Sequence, residues 1–65
     1  MIHVLLEGPQ DIDGVASYRV TLHHKTKGTF GKEYIVKDEI IARDLAERMS
    51  RDRRFPLLDM TVPKP

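Results

Sequence analysis

Cysteine is absent from this 65-residue chain, which excludes disulfides, thiolate nucleophiles and cysteine-ligated zinc together. A reducing cytosol is the natural setting, and packing or a partner must supply the stability. Long apolar runs are missing too. The run Val4, Leu5, Leu6 falls far short of a membrane span or a signal-peptide core, so the expectation is a soluble, unexported, cytoplasmic protein with no membrane partner. Excess charge of one sign is also lacking: the formal net charge is +1, which argues against a general polyanion binder. The charges are nevertheless unevenly spread, with Glu7, Asp11 and Asp13 early, Arg19, Lys25, Lys27 and Lys32 following, and Arg51, Arg53 and Arg54 late. So short a chain has room for one domain with a single helix's worth of core.

What is present is one charged helix inside a strand-forming sequence. Ile41, Ala42, Leu45, Ala46 and Met49 recur on one side of a 3.6-residue period, while Arg43, Asp44, Glu47, Arg48 and Arg51 cover the rest. This predicts a helix over 38–54 laid on a sheet. Asp38 is placed as its N-cap, Glu39 complements the helix dipole, the late arginines complement its other end, and Pro56 stops it. The pairs Glu39 with Arg43, Asp44 with Arg48 and Glu47 with Arg51 are each worth about 0.2–0.5 kcal/mol.

Residues 2–6 read as a first strand flanked on both sides by other structure. Residues 7–14 hold Gly8, Pro9, Asp11, Asp13 and Gly14, turn formers that predict an exposed loop. Residues 16–24 alternate, with Tyr18, Val20 and Leu22 on one face and Ser17, Arg19, Thr21 and His23 on the other. A turn at Lys25, Thr26, Lys27 and Gly28 leads into a third strand over 29–36 with a bulge at Gly31. A fourth strand over 57–62 carries Leu58, Met60 and Val62 on one face and Asp59 and Thr61 on the other, before a stop at Pro63, Lys64 and Pro65. The whole is expected to be a single α+β domain over 1–65, with a three- or four-stranded, mainly antiparallel sheet and one helix on one face. Its expected core is Val4, Leu6, Tyr18, Val20, Leu22, Ile35 or Val36, Ile41, Leu45, Met49, Phe55, Leu58 and Met60.

Candidate chemistry is sparse. His23 and His24 are adjacent on a strand and point to opposite faces, with His3 elsewhere, so no metal is expected. Asp11, Ile12, Asp13 and Gly14 lack the third oxygen ligand and the distal glutamate of a calcium loop. Gly28, Gly31 and Lys32 miss the P-loop spacing and no helix follows them. Ser17 and Ser50 have no base-and-orienter set, and Asp44 and Glu47 each have a basic neighbour one turn away. The expectation is no cofactor, no catalytic residue and no enzyme.

The order strand, strand, helix, strand, with Phe30 twelve positions before Ala42, the run Ala42, Arg43, Asp44, Leu45, Ala46, Glu47, and Phe55 entering a last strand that ends in proline, resembles the small podophage inhibitors of bacterial RNA polymerase. The resemblance covers residues 18–62. It implies a non-enzymatic protein whose sheet-and-helix fold docks on a polymerase. In that family arginines on the final strand make the decisive contacts; this chain carries Asp59 and Thr61 there.

These readings together predict a non-catalytic protein-interaction module, of the type of a phage-encoded inhibitor or modulator of a host protein complex. Its contact residues would be Arg43, Glu47, Arg48, Arg51, Asp11 and Asp13. The alternative is nucleic-acid binding through the basic hairpin, by Arg19, Lys25, Lys27 and Lys32 near Tyr18, Phe30 and Tyr34. If one sheet face is bare, Leu5 and Ile2 would seek a partner or a second copy, making a homodimer a further expectation.

Overall fold

A computed structural model of the protein describes residues 1–62; the stop at Pro63, Lys64 and Pro65 lies outside the described residues. Five elements follow in order: β1 (Ile2–Ile12), β2 (Val15–His24), β3 (Gly28–Val36), α1 (Glu39–Arg53) and β4 (Leu57–Thr61). The sheet has the order β3-β2-β1-β4, with β1 antiparallel to β2, β2 antiparallel to β3, and β4 parallel to β1. The α+β architecture expected from the sequence is the one observed.

The largest correction concerns residues 7–14. They are not a loop: β1 runs on to Ile12, and Asp13 and Gly14 alone make the connection. Both have positive φ, 53° and 80°, the conformation of a two-residue hairpin turn whose twist matches that of its strands. Asp-Gly is a strong signal for such a turn, and here it outweighs the loop-like composition around it. Gly8 and Pro9 are absorbed by a bulge. Glu7 pairs with Arg19 and Gln10 with Ser17, so these two residues lie opposite Tyr18 alone. A bulge is where a strand accommodates a proline that has no N–H to give. Gly8 itself has φ 137°, and a Cβ there would sit 2.7 Å from Tyr18 Cδ2 and 3.0 Å from the Ser17 carbonyl oxygen.

At the other end of the sheet, the turn over 25–27 is held by His24, whose Nδ1 accepts from the Thr26 and Lys27 amides at 3.2 and 3.3 Å. The expected bulge near Gly31 is present: Val20 pairs with Tyr34 but Leu22 with Phe30.

Helix α1 starts where the sequence places it. Asp38 Oδ1 accepts from the Ile40 and Ile41 amides at 2.8 and 3.2 Å, satisfying donors that have no partner in the first turn. It ends at Arg54, in the left-handed conformation with φ 57°. The Phe55 amide then donates to the Ser50 carbonyl at 3.1 Å, a Schellman-type closure.

The helix lies mainly over β1 and β2. Its buried residues are Ala42 and Ala46, packed with Val4, Leu6, Tyr18, Val20 and Leu22, and bordered by Tyr34, Val36, Leu45, Met49, Phe55 and Leu57. Three expected core residues are outside it, since Ile41, Leu58 and Met60 are exposed, and of the alternatives Ile35 and Val36 it is Val36 that packs against the core while Ile35 is exposed. For Ile41 the cause is helix rotation. Glu39 and Arg43 are tied to Tyr18 and Asp59, which turns that flank of the helix inward and Ile41 outward. For Ile35, Leu58 and Met60 the cause is strand parity. Leu57 pairs with Val4 on the helix side, so Leu58 and Met60, next to Leu5 and Glu7, are on the other. β1 is flanked by β2 and β4 within the sheet, but its two faces are not both covered. Among the described residues there is one helix, and it covers one face of the sheet.

Gly8→Ala is expected to destabilise the fold by about 2 kcal/mol or more, because it adds strain at positive φ to a clash with Tyr18. Arg54→Gly is expected to stabilise it by about 0.5–1 kcal/mol by removing the left-handed penalty of an L residue. Urea denaturation of both variants against the parent checks the two signs.

Candidate functional site

The bare face of the sheet is a grid whose rows follow from the register. One row reads Ile35, Arg19, Glu7, Met60 from β3 to β4; the next has Thr21, Leu5 and Leu58; the third has Thr29, His23 and His3. Three large apolar side chains stand exposed on it: Ile35 at 47%, Leu58 at 44% and Met60 at 55%. Leu5, half-buried, pairs with Leu58, while Ile35 is two strands away on β3. Scattered apolar residues are ordinary on a protein surface, but Leu5, Leu58 and Met60 are grouped on β1 and β4 of an uncovered sheet face, and such groups mark contact sites. Ile2, expected beside Leu5, is instead on the helix side, where with His24, Lys27 and Phe30 it lines a shallow hollow.

Arg19 is central to the face. Its Nε lies 3.0 Å from Glu33 Oε2, an ion-pair contact without hydrogen-bond alignment, and Glu7 is its cross-strand neighbour. Thr21 is almost fully buried between these side chains, and neither its Oγ1 nor His23 Nδ1 has a protein partner. The His3 and His23 rings stand 5.0 Å apart. The sequence reading weighed His23 against His24 and missed this pair, because only strand register puts His3 opposite His23. Two ligands remain short of the three or four a specific metal site uses. Among the described residues, no group of three histidine, aspartate or glutamate side chains is placed to hold an ion.

The expected contact residues do not form one surface. Arg43 is engaged within the molecule: Nη1 donates to Asp59 Oδ2 at 2.6 Å and Nη2 to Thr61 Oγ1 at 3.4 Å, with Glu39 Oε2 3.9 Å away. Arg48 is paired with Asp44 at 2.7 Å, as the four-residue spacing predicts. The expected pair of Glu47 and Arg51 is not formed among the described residues; both side chains are exposed. Asp11 and Asp13 are at the tip of the β1–β2 hairpin. That hairpin flanks the start of the helix, where Pro9 and Ala16 share a hollow with Ile40, whereas Arg48 and Arg51 belong to its last turns.

The basic hairpin also disperses. Arg19 is on the bare face beside Glu33, Lys25 and Lys27 are in the turn, and Lys32 Nζ sits 5.2 Å from the ring of Tyr34, which packs on the helix side. Tyr18 is committed to the core, its hydroxyl donating to Glu39 Oε1 at 3.0 Å. Burial pushes its phenol above the ordinary value, and the bond to Glu39 adds to the effect.

The final strand is where the resemblance places binding arginines. Here its polar face is turned inward to the helix. Asp59 Oδ1 accepts from the Thr61 hydroxyl at 2.6 Å and the Thr61 amide at 2.9 Å, while Oδ2 takes Arg43. These bonds, those of the Thr61 hydroxyl first, lower the Asp59 carboxyl to about 2, and the Asp59 bond raises the Arg43 guanidinium.

Fold and face together define a one-helix, four-strand α+β domain with an uncovered sheet face on which apolar side chains stand exposed around a charged centre. Comparison with protein-family models, curated proteins and solved structures finds no match to this chain. No helix among the described residues is long and apolar enough to cross a membrane.

Because the folded-state value of Asp59 is depressed from 3.8 to about 2, its stabilisation is complete above about pH 4 and lost as the pH falls toward 2. Both partners are more than a third exposed, so solvent screening holds the effect to about 1 kcal/mol or less. Thermal unfolding of the parent against Asp59→Asn is expected to show a gap near neutral pH that closes through this window.

Proposed function

We propose that this protein is a non-catalytic interaction module that acts by docking its bare sheet face on another protein surface. The observation that carries the reading is the exposed pair Leu58 and Met60 beside Leu5, with exposed Ile35 at the opposite edge, all on the side of the sheet away from the helix. Burying such side chains is worth roughly 25 cal/mol per Å² of apolar surface. The charged helix face, by contrast, has Arg43 and Arg48 already paired within the molecule, so exposed ion pairs there add little to affinity.

The resemblance over residues 18–62 suggests the kind of target, a host macromolecular machine such as a bacterial RNA polymerase, and so an inhibitor or modulator. With Asp59 and Thr61 held to Arg43, the contact shifts to the apolar side of the final strand, at Leu58 and Met60. The basic residues Arg19, Lys25, Lys27 and Lys32 are divided among two sheet faces and a turn, which favours the protein-docking reading over a nucleic-acid one.

The test is capture from a nuclease-treated bacterial lysate with tagged protein, comparing the parent with Leu58→Glu/Met60→Glu and with Arg48→Glu/Arg51→Glu. One stoichiometric protein is expected with the parent and the helix variant and lost with the face variant. Capture that survives the face variant, or that depends on nucleic acid, contradicts the proposal.

A further inference from the structure

We infer that, when no other target is bound, the bare face is occupied by a second copy of this chain, packed sheet to sheet about a two-fold axis that runs parallel to the strands, over the line between β1 and β2. The inference rests on the reading of that face as the interaction surface and adds its partner.

A two-fold interface must be complementary to itself. An axis parallel to the strands at the middle of a β3-β2-β1-β4 sheet superposes β3 on the partner's β4 and β2 on its β1. The row Ile35, Arg19, Glu7, Met60 then meets its own reverse. Ile35 of one copy opposes Met60 of the other, and Arg19 opposes Glu7. An apolar side chain is thus matched with an apolar one at both edges, and a cation with an anion at both central positions. The next row sets Thr21 against Leu5, and the third sets His23 against His3. The row would not match itself if β1 and β2 carried like charges, or if Ile35 and Met60 were polar.

The dimensions suit a weak dimer. Four strands about 4.8 Å apart and five residues, the length of β4, rising about 3.3 Å each give a footprint of roughly 320 Å². With side-chain relief, each copy contributes on the order of 500 Å², so that the total falls a little below the roughly 1,200 Å² at which stable specific interfaces begin. Face-to-face sheets pack about 10 Å apart with strands inclined by about 30°. The association is therefore expected to be concentration-dependent rather than permanent.

Sedimentation equilibrium of the full chain from about 5 to about 500 µM, the span over which modest interfaces assemble, provides the test. The mass is expected to rise from 7.5 kDa toward twice that value. Arg19→Glu and Glu7→Arg are each expected to stay monomeric, since each places like charges face to face. Their equimolar mixture is expected to dimerise, since position 19 of one then meets the opposite charge at position 7 of the other. Ile35→Glu, at an already exposed position, is a further variant expected to remain folded by circular dichroism and monomeric. A parent that stays monomeric throughout, a dimer indifferent to these changes, or a mixture that fails to associate overturns the inference. A monomeric parent whose lysate partner is still lost in the Leu58→Glu/Met60→Glu variant would overturn the second copy alone and leave the docking face standing.

Discussion

Everything in this fold depends on how closely one helix approaches the sheet. Ala42 and Ala46 are its only fully buried residues, and a methyl side chain lets the helix backbone settle near the layer of Val4, Leu6 and Val20. Larger residues there would lift the helix off and open voids that a core this small could not tolerate. The approach also brings the flanks within reach of the sheet. Tyr18 then meets Glu39, and Arg43 meets Asp59 and Thr61, so one flank of the helix is anchored to β2 at its first turn and to β4 a turn later. Gly8 serves the same end from below, since the bulge at Gly8 and Pro9 opposes the Tyr18 that carries the first anchor.

A 15-residue helix can cover one face of a four-stranded sheet and no more. The other face keeps whatever side chains strand parity assigns to it, and here those are neither fully polar nor continuously apolar. Glu7, Arg19 and Glu33 surround almost buried Thr21, while Leu58, Met60 and Ile35 occupy the margins. Charges at the centre and apolar groups at the edges make a surface that discriminates among partners, because a mismatched partner leaves Arg19 or its neighbours desolvated and unpaired.

Much of this was legible in the sequence. The helix was defined by its own period and caps, and Asp38 and Pro56 bounded it to within a residue or two of its observed ends. The alternation from Tyr18 to Leu22 identified the buried face of β2. Residues 7–14 misled because composition and turn geometry disagree there. Gly, Pro and three acidic residues look like a loop, yet Asp13 and Gly14 are sufficient to reverse the chain. The site was harder to see. Alternation gave Leu58 and Met60 a common face correctly, but which face meets the helix depends on the pairing of Leu57 with Val4, a contact between strands more than fifty positions apart. Long-range register likewise decides that His3 stands against His23 and that Arg19 sits between two glutamates. The helix charges were read as paired with one another along the helix and open to a partner, whereas Arg43 is held by Asp59, which periodicity within the helix cannot reveal.

The central claim is that one face of the sheet is sealed by the helix and the other is bare. Methionine oxidation by dilute peroxide, followed by peptide mass spectrometry at low protein concentration, tests it most directly, because Met49 borders the core under the helix and Met60 stands on the opposite side. The account requires Met60 to oxidise nearly as fast as free methionine while Met49 is protected until the protein unfolds. Equal protection of the two, or faster oxidation of Met49, would mean that the helix does not lie where the fold places it.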